Sequence, residues 1–383
     1  MAWPKLRLES EKSAADRFMG SVSFRVHEID GLRGWAALVV LLFHAFQEML
    51  RNVVPGVNNP FLSPFLAGDY AVGIFFVLSG DALSAAFFAG GGPRVVDRML
   101  LRRYFRLTIP IAMACLMTYL VMRLGLDYHA AAAVAVDRPD WLGKFLRFDP
   151  SIADCLRYAF VDVYVDHQTS FSYDPFLWTM SIELLGSIYI FGICYVWAGL
   201  RKPHWICVAF AVGLWLAGSL FSLFFVGIVF GYERSRGLFR ELLVNRPYQI
   251  AAAVLLLLTV SYMIVRGASH EPIGHRSRFV IDVLFVFIAY SQFQVRSFFA
   301  NPVSRFLGNI SFPLYLIHFQ VLISLMSWLV LHYAMRDGFL DGDRLVLSAF
   351  LSVAACFPVA YAFRLVEKLA LSVVDTFIVR LLQ

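Results

Sequence analysis

The chain has 383 residues, of which 60% are hydrophobic and only 16% charged, with a formal net charge of +6 at pH 7. Soluble domains contain roughly 45–50% apolar and about 25% charged residues, so this composition excludes an ordinary soluble protein. The apolar excess must face lipid, and the apolar runs are continuous rather than alternating. The composition therefore predicts an all-α polytopic integral membrane protein in the cell membrane, with the lipid bilayer as its surroundings.

The N-terminal segment mixes acidic and basic residues and has neither an apolar core nor a small-residue cleavage site. This pattern is not that of a signal peptide. We expect a cytoplasmic N-terminal arm over 1–29, a transmembrane domain over 30–375 and a cytoplasmic C-terminal tail over 376–383.

Apolar runs along the chain predict the membrane spans, because a helix needs about 20 residues to cross roughly 30 Å of hydrocarbon. The runs lie near 30–50, 67–89, 104–124, 176–198, 205–232, 247–265, 279–295, 305–331 and 344–368. The spacing predicts helices throughout the transmembrane domain.

The run 205–232 is long for one helix and short for two, and its length leaves both alternatives open. Gly213, Gly218 and Ser219 would allow a tight reversal near its middle. With two helices, 22 of the 33 basic residues fall on the side that also holds both termini. The positive-inside rule therefore favours about ten spans, with the N- and C-termini cytoplasmic.

The largest outer loop, 125–175, is acidic, with eight aspartates against four basic residues. Trp141, Phe145, Phe148 and Tyr158 would let short amphipathic segments lie along the membrane surface. The loop is interpreted either as a solvated cap or as a lid that binds the acceptor.

The remaining composition argues against several classes of site. The five cysteines lack the spacing of a disulfide framework or of a metal site. The basic residues lie in the predicted cytoplasmic loops and form no stripe with interleaved aromatics, so we expect no nucleic-acid partner. We also expect no metal and no permanently bound cofactor.

Titratable side chains inside apolar runs are costly and therefore indicate function. They are His44, Asp81, Glu183, Asp282 and His318.

Arg33 and His44 are eleven positions apart, about three helical turns plus 20°, which places both on one helix face about 16 Å apart. An arginine that holds phosphate and a deeper histidine that moves protons would suit a long donor such as an acyl-coenzyme A. The alternative is a snorkelling arginine and a histidine that hydrogen-bonds between helices.

Helix directions place some of these groups at one depth. His44 lies about 21 Å from the inner end of its helix, and Glu183 about 10 Å below the outer face. A carboxylate can orient an imidazole and stabilise its protonated form, so Glu183 is predicted to orient His44 or to meet the acceptor. His318 lies near the middle of its helix.

Five ordered segments carry a family resemblance. They are IDGLRGWAALVVLLFHAF with Arg33 and His44, AVGIFFVLSG at 71–80, RRYFRLTIP at 102–110, LWTMSIE at 177–183 and LGNISFPLYLIHFQV at 307–321. A weaker match is FRLVEK at 363–368. Together they resemble the membrane-bound acyltransferase-3 family of O-acyltransferases.

The resemblance implies a ten-helix core that transfers an acyl group from a cytoplasmic acyl-CoA co-substrate to a carbohydrate or other hydroxyl acceptor. It implies that Arg33 and His44 are essential, that Arg103 and Arg106 bind the donor, and that Glu183 belongs to the catalytic set. His44 would act as a general base or as a transient acyl carrier, and we favour the base.

Further residues are predicted to line the substrate cavity. They are Ser79, Asp81, Trp178, Tyr315 and His318.

Three features depart from the family pattern. Many members have an acidic residue two positions before the FF pair of the second segment, where this chain has Gly73. If that acid supports the histidine, Asp69, Asp81 or Glu183 would have to replace it. After Glu183 the chain reads LLGSIY where many members have a Phe-Tyr pair, and no soluble hydrolase-like domain is expected.

Two rival functions come from other classes. A transporter or flippase would use the buried charges to line a translocation path, but the sequence contains no inverted repeat and no paired broken helices. A receptor or scaffold would leave Arg33, His44, Arg103, Arg106 and Glu183 without a joint explanation.

Overall fold

The computed structural model describes residues 27–269 and 274–381, and these are almost entirely helical. The main helices are α1 His27–Leu42, α2 Gly68–Ala86, α3 Gly92–Arg123, α4 Thr179–Val196, α5 Pro203–Leu216, α6 Phe221–Arg236, α7 Leu238–Val244, α8 Arg246–Ser269, α9 His275–Ser291, α10 Phe293–Ala300, α11 Pro302–Val321 and α12 Gly342–Leu381. A two-residue hairpin turn joins β1 Met335–Arg336 to the antiparallel β2 Phe339–Leu340.

Shorter elements fill the loops and extend the helices. The π-helical turns are Phe43–Glu48, Phe87–Gly91, Tyr158–Asp162, Leu322–Met326 and Val330–Ala334. The short α-helices are His129–Ala135, Ile152–Arg157, Val163–Val165 and Ser327–Leu329. The 3₁₀ turns are Pro55–Asn58, Pro60–Leu62, Leu142–Lys144, Thr169–Phe171, Pro175–Trp178 and Trp197–Gly199.

Seven helices in the described part of the chain are long and apolar enough to cross a membrane. The pair α9 and α10, which bends by 85°, raises this number to eight if it forms one span. The all-α polytopic architecture is therefore confirmed, and the total of ten spans stays a prediction.

The ambiguous run 205–232 forms two helices. α5 ends at Leu216 and α6 begins at Phe221, so the chain reverses between them. Gly218 supplies the reversal with a φ of +73°, a conformation that favours glycine. The 16 residues of α6 bring its arginines back to the end of the bundle where α1 begins.

The bundle has two chemically different ends. The long-loop end carries residues 49–67 and 124–178, whereas the basic end carries the start of α1, the start of α3 and the α6–α7 loop. α1 runs from the basic end to the long-loop end, and α2 and α4 run back. This alternation decides which side chains meet at each depth.

Glycines allow the helices that carry the predicted site residues to approach closely. A Cβ at Gly34 of α1 would lie 2.3 Å from the backbone nitrogen of Gly308 in α11. A Cβ at Gly227 of α6 would lie 2.1 Å from the Val77 carbonyl oxygen in α2. Backbone contact of this kind favours close helix packing in membranes, and here it fixes α1 against α11.

The predicted domain boundaries fall inside helices or beyond the described residues. Of the expected arm 1–29, residues 1–26 lie outside the described residues and the rest begin α1. Within the expected tail 376–383, α12 continues to Leu381, and residues 382–383 lie outside the described residues.

Candidate active site

A cavity of about 220 Å³ lies among α1, α2, α3, α4, α11 and α12 in the basic half of the bundle. Its polar lining consists of Arg33, Ser79, Arg103, Arg106, Thr179, Glu183, Ser311, Tyr315 and Glu367. We call it the arginine cavity. The structure thus brings together the three arginines and the glutamate that the sequence singled out, with Ser79 and Tyr315.

Glu183 is held in this cavity by α2 and α3. Arg103 forms an ion pair with its carboxylate, and Ser79 Oγ donates to Glu183 Oε1 over 2.7 Å. The Nε of Arg103 also donates to Ser187 Oγ over 2.8 Å. Because Glu183 is 8% exposed, this pairing compensates a buried charge. Glu183 makes no contact with His44 among the described residues, so the role of orienting His44 is corrected, whereas contact with the acceptor stays a prediction.

Arg33 differs from Arg103, because it has no such partner in the described part of the chain. Arg33 is a partly buried residue, and its guanidinium makes no hydrogen bond or ion pair among the described residues, although Glu183 and Arg103 act on it electrostatically. Arg106 lies near Glu367 of α12, with which it interacts electrostatically. Three guanidiniums therefore face two carboxylates, and this excess of positive charge suits an anionic ligand.

The partner of His44 is His318 of α11. His44 Nδ1 lies 2.9 Å from His318 Nε2, and His318 Nδ1 lies 2.7 Å from the backbone carbonyl oxygen of Tyr315. A carbonyl only accepts, so His318 must donate from Nδ1, and neutral His318 then accepts at Nε2. His44 must therefore donate from its own Nδ1. This chain leaves the lone pair on His44 Nε2, which makes no hydrogen bond to a described residue.

Aromatic rings fix the plane of the His44 imidazole. Phe176 stacks on it with ring centroids 3.9 Å apart and an interplanar angle of 8°, and Trp141 lies at 5.9 Å. His44 also lies in the π-helical turn Phe43–Glu48, a local widening of the helix that frequently occurs at functional sites. The ring is thus both oriented by hydrogen bonding and held by stacking.

Trp141 reaches His44 because the loop 124–178 folds onto the bundle. Arg138, whose side chain is 1% exposed, donates to the carboxylate of Glu48 over 2.9 Å and to its backbone carbonyl. Asn52 adds a 2.6 Å hydrogen bond to the Asp137 carbonyl. Burial lowers the pKa of His129, which lies in the same fold of the loop. The loop is therefore a packed cover of the His44 end of α1.

A polar contact separates His44 from the arginine cavity. The Tyr315 hydroxyl lies 2.8 Å from Thr179 Oγ1 and donates to the Phe176 carbonyl. Tyr315 lines the cavity, while Phe176 stacks on His44. One turn of α11 therefore joins the cavity wall to the histidine pair. A movement of the Tyr315 side chain would connect the arginine cavity with the space at His44.

Three predicted cavity residues lie elsewhere, and one of them is His318, which pairs with His44 and does not line the arginine cavity. Trp178 is 42% exposed and does not line the arginine cavity. Asp81 is fully buried in a separate cluster, where it accepts from Arg234 Nε over 3.2 Å and from the Tyr290 hydroxyl over 2.8 Å. These three predictions are corrected, because spacing along a helix does not show which neighbour a side chain meets.

Asp282 occupies the space left by the missing acid of the second segment. A Cβ at Gly73 would lie 1.8 Å from Asp282 Oδ2. A carboxylate from α9 therefore lies where a side chain on α2 would begin, and none of Asp69, Asp81 and Glu183 does so. No signal in the linear sequence pairs these two positions.

Comparison with known proteins agrees with the motif pattern. A protein-family model described as an acyltransferase domain, that of acyltransferase family 3, matches residues 26–364. No curated protein and no solved structure matches the chain significantly. In the described part of the chain, no group of three or more His, Cys, Asp or Glu residues is arranged to hold a metal ion.

Proposed function

Because the chain belongs to the acyltransferase-3 family, we propose that this membrane acyltransferase moves an acyl group from an acyl-CoA to an acceptor hydroxyl. The basic end would face the cytoplasm, where the donor is available, and the long-loop end would face outward. The observation that carries the proposal is the hydrogen-bonded chain from the Tyr315 carbonyl through His318 to His44.

The arginine cavity would bind the donor. Arg33, with no ion pair among the described residues, and Arg106 would hold phosphate oxygens, and the pairing with Glu183 would keep Arg103 directed into the cavity. The pantetheine arm would then extend past Tyr315 towards His44. In this arrangement the thioester carbonyl would lie at the level of the histidine pair.

His44 would act as the general base. Its Nε2 would take the proton of an acceptor hydroxyl while the hydroxyl oxygen attacks the thioester carbonyl. The carbon–sulfur bond breaks, the new ester forms, and the proton passes to the departing thiolate of coenzyme A. If His44 instead carries the acyl group, Nε2 is the nucleophile and an acyl-histidine precedes the ester.

The test is His44→Ala in the purified protein, with labelled acetyl-CoA as donor and release of free coenzyme A as the signal. Removing a general base should lower turnover by about 10²–10⁴-fold. His332→Ala is the matched control, because His332 lies exposed in the π-helical turn Val330–Ala334 that follows α11.

Equal turnover in the parent protein and His44→Ala would exclude this mechanism. Recovery of an acyl group bound to His44 after rapid acid quenching would show that His44 is an acyl carrier rather than a general base.

A further inference from the structure

A second cavity, of about 400 Å³, lies at the long-loop end beside α1. We call it the polar chamber, and its polar lining includes Gln47, Arg51, Asn58, Ser63 and Arg266. Arg51 is only loosely engaged, since its guanidinium lies 3.7 Å from Glu48 and its side chain is 39% exposed. Amide, hydroxyl and guanidinium groups together suit a hydroxylated ligand that carries a negative charge.

A third cavity, of about 120 Å³, lies directly beneath it inside the membrane region. We call it the apolar slot, and its lining includes Leu32, Trp35, Val39, Val260 and Phe285. Its outer wall is α8, and because only 11% of the residues in the apolar stretch of α8 are buried, this helix faces lipid. A slot bounded by a lipid-facing helix fits a hydrocarbon chain that enters from the bilayer.

The chamber and the slot are continuous. Ala67, Tyr70 and Met263 line both cavities. On α1 the slot residues Leu32 and Val39 continue along one face towards Phe43, which lines the chamber. The combined shape is a polar head space at the membrane surface with an apolar extension below it.

Two unsatisfied polar groups lie near the junction. The Tyr70 hydroxyl is buried without a hydrogen bond to any described residue, although Tyr70 lines both cavities. Asp282 is 2% exposed and lines the slot, and within the described ranges its buried Oδ1 has no hydrogen bond. Each unpaired buried group is costly, so a ligand that satisfies both would be stabilised. A ligand hydroxyl at this level could accept from Tyr70 and donate to Asp282.

We propose that the polar chamber and the apolar slot form one binding site for a membrane amphiphile with an anionic, hydroxylated head and a hydrocarbon chain. Phe43 connects this site to the catalytic histidine, since its ring lines the chamber and lies 5.3 Å from the His44 ring. The amphiphile is the acyl acceptor, an assignment that rests on the proposed function. The enzyme would thus modify lipid-anchored molecules from the outer leaflet.

The probe is dodecyl glucuronide with a diazirine in its alkyl chain, added to the full chain in phosphatidylcholine vesicles. After irradiation, saturable labelling should fall on peptides that contain Val39 and Val260. Unlabelled dodecyl glucuronide should compete about tenfold better than dodecyl glucoside, because the glucoside lacks the charge that Arg51 pairs with. Arg51→Gln should remove this preference.

Matched variants on α8 test the slot itself. Val260→Trp should fill the slot and lower saturable labelling at least about tenfold, since overpacked space excludes the chain. Leu258→Trp, on the lipid-exposed side of the same helix, should leave labelling unchanged. Tyr70→Phe keeps the ring but loses the hydroxyl, and should weaken competition about fivefold. Thermal unfolding of each variant identifies a folding defect.

Labelling that does not saturate, or that is equal in Val260→Trp and Leu258→Trp, would overturn the site. If labelling is saturable but no acyl group passes from acetyl-CoA to dodecyl glucuronide, the amphiphile binds at the site but is not the acyl acceptor. Transfer to a soluble sugar without any saturable labelling would overturn the site and leave the proposed function standing.

Discussion

The orientation of the His44 imidazole depends on a backbone carbonyl two hydrogen bonds away. The Tyr315 carbonyl fixes the tautomer of His318, and His318 fixes that of His44. The sequence identified both histidines but expected Glu183 to orient His44. The rise per residue gives a position along one helix, but it gives neither the neighbour across a helix interface nor the offset between helices, and Phe176 rather than Glu183 lies level with His44.

His318→Leu should lower kcat about tenfold to a hundredfold with an unchanged KM for the donor, because one orienting hydrogen bond is lost. His318→Gln should recover part of this loss, since its side-chain oxygen can accept from His44 Nδ1 where His318 Nε2 did. Steady-state kinetics of both purified variants measure the difference. Equal kcat in the two variants would show that His318 only fills space.

Measurements of donor affinity should distinguish the roles of the charged residues in the arginine cavity. Arg33→Gln and Arg103→Gln should each weaken acetyl-CoA binding by about tenfold or more, and added salt should weaken it in the parent. Glu183→Gln should bind the donor at least as well, because it removes a negative charge, yet turn over more slowly because Arg103 loses its anchor. Calorimetric titration gives the affinities.

Arg336→Gln, exposed in the hairpin at the opposite end, is the control for these substitutions. Unchanged donor binding in Arg33→Gln and Arg103→Gln would place the phosphate site elsewhere.

At the scale of the elements, the loop 124–178 and the end of α1 form one unit. The sequence left open whether this loop is a solvated cap or a lid, and the burial of Arg138 against Glu48 shows a packed cover. The π-helical turn that carries His44 was not predicted. Its extra residue per turn follows from packing, and apolar periodicity alone does not encode it.

Removing one partner of this ion pair should be more harmful than removing both. Arg138→Met should destabilise the protein by about 2–3 kcal/mol, because Glu48 is then left partly buried with only the loose 3.7 Å contact to Arg51. Arg138→Met combined with Glu48→Met should recover most of that stability. Thermal unfolding in detergent and proteolysis of the loop measure the effect.

A double variant as unstable as the single one would show that the hydrogen bond to the Glu48 carbonyl, rather than the charge pair, holds the loop.

At the scale of the whole molecule, the two ends of the bundle differ in charge, and this asymmetry was readable from the sequence. The two-helix interpretation of 205–232 was favoured because it gathers Arg234, Arg236 and Arg240 with the other basic residues. The structure has both helices, with Gly218 at the reversal. The separation of the arginine cavity from the polar chamber could not be predicted, because it depends on which helices adjoin.

Reporter fusions after Gln383 and near Gly237 should both give a cytoplasmic signal, since the positive-inside rule places the basic end there. A fusion within the loop 124–178, for example after Asp149, should give an external signal. An external signal from either of the first two sites would contradict the proposed orientation and the ten-span count.

The carboxylate of Asp282 in the place of a side chain at position 73 has a consequence for evolution. A Cβ at position 73 and a carboxylate at position 282 exclude each other, because the two would lie 1.8 Å apart. Relatives that carry an acid at the position of Gly73 should therefore have a small residue opposite it, and the two positions should covary. Between such relatives and this chain, the acidic residue would have moved from one helix to another while its carboxylate stayed at the same location. Evolution would then have retained the negative charge and not the residue that carries it.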